Sequence, residues 1–192
     1  ILNNPCNPTG AVYPDQELQA LAKVCREEEV IVISDEIYSL IDFRKEKFSS
    51  IGRYLPESTV VTGGMSKAFS AGGWRLGLAF VPDAMSDMIK PWNALISETF
   101  SCVNAPVQYA ALEAFSQFEA LRPQIQRFTE IHSVAGSYLF KRFMQMDLNC
   151  PEPEGAFYLF PDFQNHREIL KKRGITKCHE LVDDLLNARQ VA

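Results

Sequence analysis

The first half of the chain alternates between helical and continuous patterns of apolar residues. Pro14-Asp15 places a proline and an acid where helices often begin. Four apolar residues then follow at helical spacing: Leu18, Leu21, Ala22 and Cys25. This spacing predicts a helix that packs one face against a sheet. The unbroken apolar run at 30–33 predicts a parallel strand that is buried on both faces.

Two further apolar runs predict strands at 59–62 and 76–81. Strands that alternate with loops and helices favour an α/β layer fold. In open α/β sheets, ligands bind beyond the carboxyl ends of the strands. Asp35 and Lys67 both fall just past such ends. We therefore expect a ligand site at this edge of the sheet.

Helical patterns dominate the second half of the chain. They predict helices at 84–90, 104–117, 119–146 and 178–188. The longest of these carries an apolar stripe: Leu121, Ile125, Phe128, Ile131, Ala135, Leu139 and Phe143. An apolar run at 155–160 predicts one more strand. The change of pattern predicts a domain boundary near residue 120, which divides the chain into 1–120 and 121–192.

Composition and charge narrow the class of protein. The chain has 192 residues, of which 46% are hydrophobic and 22% charged, as is ordinary for a soluble globular protein. The formal net charge of -5 argues against general binding to nucleic acid or to an anionic membrane surface. No apolar run approaches the roughly 20 residues of a membrane span. We expect neither nucleic acid nor membrane as a partner.

The cysteines and histidines predict no metal site. No two of the five cysteines have the spacing of a zinc or redox motif, and their odd number fits unpaired thiols in a reducing, cytoplasmic compartment: Cys6, Cys25, Cys102, Cys150 and Cys178. The three histidines also lack the spacing of metal ligands: His132, His166 and His179.

Both ends of the sequence have the pattern of interrupted elements. The chain opens without methionine on Ile1-Leu2, which is typical of the end of a buried strand. It closes at 189–192, where a helix gives way to an extended pattern. We therefore expect the chain to be part of a longer polypeptide.

A lysine beside groups suited to bind phosphate is the most informative chemical pattern. Lys67 directly follows Ser66, and Gly72-Gly73 and Arg75 come shortly after it. A hydroxyl, a guanidinium fork and glycine backbone can together anchor a phosphate. This combination favours a lysine that holds a phosphorylated carbonyl compound as a Schiff base. The alternative is a surface lysine and a surface arginine in ion pairs with carboxylates.

Three other residues have side chains that could orient the same ligand. Asp35 follows a buried strand, where its anion could face a protonated ring nitrogen. Tyr38 lies three positions further on, and a helical turn would bring its phenol to the same side. Asn7 could donate from its amide. The alternatives are a helix N-cap for Asp35, a half-buried core tyrosine for Tyr38 and a turn residue for Asn7.

These motifs resemble those of class I/II aminotransferases of fold type I, which use pyridoxal 5'-phosphate. The resemblance rests on three segments in the family's order and approximate spacing: Asn3–Gly10, Ser34–Tyr38, and Ser66-Lys67 with Arg75. It implies that Lys67 is the Schiff-base lysine and proton shuttle, and that Asp35 pairs with the pyridine nitrogen. It further implies that Asn7 and Tyr38 hold the ring oxygen. By the same resemblance Ser66 and Arg75 hold the phosphate.

The resemblance also implies a fold and an activity. The chain would hold the C-terminal part of the large sheet domain and part of the small α+β domain, where Pro153–Tyr158 is similar to a small-domain strand. The activity would be transfer of an amino group from an amino acid to a 2-oxo acid, in a cytoplasmic homodimer. The alternatives are a carbon–sulfur lyase or a cyclopropane-carboxylate synthase-like enzyme, and a catalytically incompetent fragment or regulatory domain that binds the cofactor.

The sequence departs from the family pattern in two respects. Gly64 stands where many members have a serine or threonine that binds the phosphate, and its backbone N–H is a possible substitute. The family's glycine-rich phosphate turn, stacking aromatic residue and carboxylate-binding arginine fall outside the chain. Arg189 lies too early for that last role, and the donor amino acid cannot be read from the sequence.

Overall fold

A four-stranded mixed sheet carries the residues of the predicted site. The computed structural model describes residues 1–46 and 48–191. The strands lie in chain order across the sheet: β1 (Leu2–Asn3), β2 (Val32–Asp35), β3 (Thr59–Gly64) and β4 (Gly77–Phe80). β1, β2 and β3 are parallel, and β4 runs antiparallel to β3. The register pairs Asn3 with Asp35 and Asp35 with Thr62, so the carboxyl ends of three strands meet at one edge.

Six α-helices accompany the sheet in the described part of the chain: α1 (Asp15–Glu27), α2 (Ile89–Thr99), α3 (Ala105–Ser116), α4 (Phe118–Gln145), α5 (Arg167–Lys172) and α6 (Cys178–Arg189). Short 3-10 turns connect several elements, and one of them, Asp83–Met88, leads directly into α2. The helix predicted at 84–90 is therefore the 3-10 entry to a longer helix. The predicted bounds of α3, α4 and α6 differ from the observed bounds by no more than about one residue.

The apolar face of α1 packs on the sheet as its spacing predicts. The buried cluster beneath this helix is Leu18, Ala22, Cys25, Val32, Ile51 and Leu55, with Leu21 partly buried against it. Asp15 and Glu17 occupy the first turn of the helix, where the helix dipole favours acids. This packing fixes β1 and β2, the two strands that α1 connects.

The second strand differs from its prediction in bounds and in burial. Val30 is not in the strand, because its N–H donates to the Cys25 carbonyl at 2.8 Å and closes the end of α1. The strand instead continues to Asp35, which pairs with strands on both sides. Only one face is covered: Val32 is 6% exposed, whereas Ile31 and Ile33 are 56% and 43% exposed. The prediction of burial on both faces is wrong, because buried and exposed residues alternate along the strand in the described chain.

The long helix α4 leaves much of its apolar stripe exposed. Ile125 is buried, and Gly136 is buried although it is not part of the stripe. Four stripe residues are exposed: Phe128, Ile131, Ala135 and Leu139. The helix meets the remainder of the described chain mainly through Ile125 and through Gly136, whose missing Cβ leaves space for Pro153.

The segment predicted as a strand at 155–160 is instead a turn wedged between two loops. Gly155 forms one isolated bridge to Asp42, and Ala156 has a positive φ of 56°. The N–H of Gly155 donates to the Gly10 carbonyl at 3.0 Å, and the N–H of Ala156 donates to the Ile41 carbonyl at 2.8 Å. Because its hydrogen bonds go to loops on both sides, this backbone joins no sheet. We call residues 154–158 the wedge segment.

We predict that Gly155→Ala destabilises the protein. A Cβ at residue 155 would lie 2.8 Å from the Ile41 carbonyl oxygen and 3.0 Å from Val12 Cγ2, inside the wedge. The expected loss is about 1–3 kcal/mol, measured as a lower midpoint of thermal unfolding. Gly73→Ala is the control, since nothing lies within 4 Å of its added Cβ. Equal midpoints for the two variants would show that the wedge tolerates movement.

Candidate active site

Lys67 lies in a tightly bonded loop between β3 and β4. The Met65 N–H donates to the Leu76 carbonyl at 3.4 Å, and the Ala71 N–H donates to the Met65 carbonyl at 3.1 Å. Met65, Ala71 and Leu76 are buried in a cluster with Ala111 of α3. The loop therefore has its own apolar anchor, which holds Lys67 at the carboxyl end of β3.

The ammonium group of Lys67 lies over two aromatic rings. Its Nζ is 5.7 Å from the ring centre of Tyr38 and 5.7 Å from that of Phe157. The faces of aromatic rings attract cations at this range. Lys67 takes part in none of the ion pairs found among the described residues. The structure therefore does not support the alternative prediction of a surface lysine paired with a carboxylate.

Tyr38 is a buried phenol at the centre of the cluster. Only 3% of the residue is exposed, and its hydroxyl lies 2.6 Å from the Tyr158 hydroxyl. Burial raises the pKa of Tyr38 above the ordinary value for a phenol. A hydrogen bond from Asn7 acts in the opposite direction. The phenol therefore keeps its proton near neutral pH.

Asp35 is held by two donors at the end of β2. Asn3 donates from Nδ2 to the Asp35 carboxylate at 3.3 Å, and the Ile37 N–H donates to the other carboxylate oxygen at 3.3 Å. The residues after Asp35 form turns, closed by a bond from the Ile41 N–H to the Tyr38 carbonyl at 2.7 Å. Because no α-helix follows, Asp35 is not a helix N-cap. The turn brings it near enough to Tyr38 for its charge to affect that phenol's pKa.

Asn7 lies in the loop after β1, which backbone bonds close on itself. The Cys6 N–H donates to the Ala11 carbonyl at 2.9 Å, and the Gly10 N–H donates to the Cys6 carbonyl at 2.9 Å. The Asn7 N–H donates to Asn3 Oδ1 at 2.6 Å. Asn3 thus contacts both Asp35 and Asn7, and it links the loop to the sheet edge.

Ser66 and Arg75 belong to the lysine loop but form no such cluster. Ser66 is half-buried beside Lys67. Arg75 is exposed, and its Nη1 donates to the Gly72 carbonyl at 2.8 Å within the loop. Arg75 takes part in none of the ion pairs among residues 1–46 and 48–191. The structure therefore brings Asn7, Asp35, Tyr38 and Lys67 together, and leaves the guanidinium at the rim.

Three residues in this cluster have no assigned role in the sequence-based prediction: Asn3, Phe157 and Tyr158. Tyr38 and Tyr158 are 120 positions apart, and no spacing rule relates residues so distant. The resemblance at Pro153–Tyr158 signals a structural element but not a contact with the lysine. Asn3 lies in a recognised motif, and its pairing with Asp35 follows only from the strand register.

The residues of the cluster have functional groups that suit pyridoxal phosphate. An amine can bind an aldehyde carbon, a carboxylate can face a pyridine nitrogen, and a phenol and an amide can donate to a ring oxygen. A guanidinium and a hydroxyl in the same loop suit a phosphate. By contrast, the described residues include no group of three potential ligands that could hold a metal ion.

Two other features concern the whole described chain. The five cysteines, from Cys6 to Cys178, are all free thiols. Among the helices that the structure describes, none has the length and apolar character needed to cross a membrane.

Sequence comparison identifies the family. The model of the family described as aminotransferase class I and II matches residues 1–192. The chain belongs to this family. It is 35% identical to an aspartate aminotransferase of Geobacillus stearothermophilus, over 100% of this chain and 48% of that protein. It is 36% identical to an aspartate/prephenate aminotransferase of Thermus thermophilus, over 84% of this chain and 41% of that protein.

Solved structures agree with the fold assignment. A tetra mutant of Thermus thermophilus aspartate aminotransferase superposes with a TM-score of 0.79 and 33% identity, covering 91% of this chain and 49% of that one. An aromatic aminotransferase from Pyrococcus horikoshii gives a TM-score of 0.77 and 30% identity, covering 89% and 47%. The fold is that of the fold type I aminotransferases, as the sequence predicts. The chain spans about half the length of these relatives.

The backbone geometry of β3 and β4 explains why residue 64 is a glycine. Gly64 pairs with Gly77 across β3 and β4. A Cβ at residue 64 would lie 2.7 Å from the Leu76 carbonyl oxygen and 3.1 Å from the Gly77 Cα. The backbone of β4 therefore occupies the space that a serine or threonine side chain would need. Whether the Gly64 N–H replaces the missing hydroxyl stays a prediction.

We predict that Gly64→Ser lowers stability, although it restores the residue type common in the family. The added side chain would push β3 and β4 apart, at an expected cost of about 1–3 kcal/mol in the free energy of unfolding. Urea denaturation measures this loss. The neighbouring change Gly63→Ser is the matched control, because nothing lies within 4 Å of a Cβ there. A Gly64→Ser protein as stable as the control would contradict the close approach of β4.

Proposed function

We propose that the protein containing this chain is a pyridoxal-phosphate-dependent aminotransferase that moves an amino group from an amino acid to a 2-oxo acid. The observation that carries the proposal is the Lys67 amine, which lies 5.7 Å from the Tyr38 ring centre and outside every described ion pair. Asp35 and Asn7 lie near enough to the same phenol to affect its pKa. The family match supports this activity. Because the chain spans about half the length of its relatives, the activity of the whole protein is a proposal.

Pyridoxal phosphate, when bound, supplies an aldehyde carbon for amino groups and a ring that accepts the electron pair released at the substrate α-carbon. The residues of this chain would hold it at several points. Asp35 would face the ring nitrogen. Asn7 and Tyr38 would donate to the ring oxygen. Ser66 and Arg75 would bind the phosphate, with Arg75 leaving its bond to the Gly72 carbonyl to do so.

Lys67 would move a proton at its Nζ. The aromatic faces of Tyr38 and Phe157 attract the ammonium form without offering an oxygen that would bind it strongly. A positioned acid–base group of this kind contributes typically about 10²- to 10⁴-fold in rate.

Asp35 would face the ring nitrogen with its carboxylate. Two donors, from Asn3 and from the Ile37 backbone, stabilise the charged carboxylate. An anion in this position keeps a pyridine nitrogen protonated. The bonds from Asn3 and Ile37 also fix where the carboxylate points, so Asp35 need not be reoriented during turnover.

The alternatives have less support. The relatives named above are aminotransferases. Their names therefore do not favour a carbon–sulfur lyase or a cyclopropane-carboxylate synthase-like enzyme. Because the chain spans about half the length of its relatives, the second candidate is a catalytically incompetent fragment or a regulatory domain that binds the cofactor.

We further propose that the chain divides into domains at 1–120 and 121–192, and that the protein is a homodimer. We also propose a reducing cytoplasmic compartment, which fits the free thiols. Because two relatives are named for aspartate, aspartate is the first donor to assay.

We predict that Lys67→Ala abolishes covalent attachment of pyridoxal phosphate. The natural protein, incubated with pyridoxal phosphate and reduced with borohydride, should carry the label on the peptide that contains Lys67. Mass spectrometry of the digested protein measures the site. Lys90→Ala is the control, because Lys90 is exposed on α2 and lies outside the cluster. Label on another lysine, or undiminished label in Lys67→Ala, would remove Lys67 from this role.

We predict that Asp35→Asn preserves cofactor attachment but lowers amino transfer at least about 100-fold, because a neutral amide cannot hold the ring nitrogen protonated. Steady-state assays with aspartate and 2-oxoglutarate measure the rate. A control variant, Asp87→Asn, alters an exposed aspartate in the 3-10 turn before α2. If both variants turned over at the wild-type rate, Asp35 would have no part in the reaction.

A further inference from the structure

Tyr158 is joined to the buried phenol of Tyr38 by a short hydrogen bond. The two hydroxyl oxygens are 2.6 Å apart, and the rings meet edge to face with centres 5.6 Å apart. The wedge segment that carries Tyr158 is bonded to the Gly10 carbonyl on one side and to the Ile41 carbonyl on the other. Tyr158 is therefore presented to Tyr38 by fixed backbone.

The number of hydroxyl protons in this pair restricts which tyrosine donates the hydrogen bond. Each phenol has one proton to donate and two lone pairs that accept. A single proton lies between the two oxygens, so one tyrosine donates and the other accepts. If Tyr38 donates to Tyr158, it has no proton left for any other oxygen. If Tyr158 donates, the proton of Tyr38 is available for a ligand beside Lys67.

We infer that Tyr158 is a positioning residue whose hydroxyl donates to Tyr38, and so directs the Tyr38 proton to the ring oxygen of the cofactor. This inference rests on the proposed function, in which Tyr38 binds that oxygen. A phenol that accepts a hydrogen bond becomes a stronger donor through its own proton, because hydrogen bonds in a chain polarise and strengthen one another. Tyr158 thereby makes Tyr38 a more rigid donor with a defined direction.

The groups around Tyr38 fit this assignment. Its hydroxyl contacts Tyr158 from the wedge segment, and Asn7 from the loop after β1 lies near enough to lower its pKa. The charged neighbours are Asp35, at the end of β2, and Lys67, whose Nζ lies over the ring rather than at the hydroxyl. The Asn7 amide can donate there. No carboxylate contacts the Tyr38 oxygen among the described residues, so a cofactor oxygen would be its acceptor.

The test measures the pH midpoint of the visible absorption change of the bound cofactor in the complete natural protein. A donor to the ring oxygen stabilises its anion, and so lowers the pH at which the proton shared with the lysine nitrogen is lost. Tyr38→Phe should raise the midpoint. Tyr158→Phe should raise it by a smaller amount, about half a pH unit, because it weakens the donor without removing it. Tyr109→Phe, at an exposed tyrosine of α3, should leave it unchanged.

The double variant separates positioning from packing. If Tyr158 acts through Tyr38, the variant with both changes should have the same midpoint as Tyr38→Phe alone. A midpoint shifted by the sum of the two single changes would overturn the inference. Replacement of Tyr158 by 3-fluorotyrosine keeps the ring and makes its hydroxyl a stronger donor, so the midpoint should fall. This change is nearly isosteric, and its opposite sign cannot come from a loss of folding.

The outcomes distinguish this inference from the proposed function. A midpoint that moves with Tyr38→Phe but with neither change at Tyr158 overturns the role of Tyr158 alone. A midpoint that ignores Tyr38→Phe removes Tyr38 from the cofactor oxygen, and the inference fails with that assignment. Opposite shifts for Tyr158→Phe and the fluorinated residue, with label still on Lys67 after borohydride reduction, support both.

Discussion

The candidate site depends on the backbone hydrogen bonds that hold the wedge segment between two loops. The N–H groups of Glu154 and Gly155 both donate to the Gly10 carbonyl, at 2.8 and 3.0 Å, and the Ala156 N–H donates to the Ile41 carbonyl at 2.8 Å. These bonds satisfy buried backbone groups that would otherwise cost free energy. They join the loop after β1 to the turn after β2, and they deliver two aromatic side chains to the lysine.

A second constraint is the parallel register of the first three strands. It aligns Asn3, Asp35 and Thr62 at one edge, so that residues from three separate segments meet. Asn3 then donates to the carboxylate of Asp35 and accepts from the Asn7 backbone. Polar groups that satisfy one another in this way are oriented before any ligand arrives, which is the condition for effective electrostatic stabilisation of a reaction.

The lysine loop shows how packing and chemistry share a short sequence. Three residues of the loop are buried: Met65, Ala71 and Leu76. Between them, Ser66 and Lys67 are half-buried and Arg75 is exposed. Gly64 permits β4 to approach β3 closely enough to close this loop. The close approach of this backbone leaves no room for a side chain at residue 64.

The sequence by itself determined the α/β class, the bounds of α3, α4 and α6, the buried face of α1 and the family, because local periodicity and short motifs encode them. It also gave the candidate residues Asn7, Asp35, Tyr38 and Lys67. Only the tertiary structure decided that 155–160 is a turn, that most of the α4 stripe is exposed, and that Phe157 and Tyr158 meet the lysine cluster. Those features depend on contacts between segments far apart in the chain, which no local pattern records.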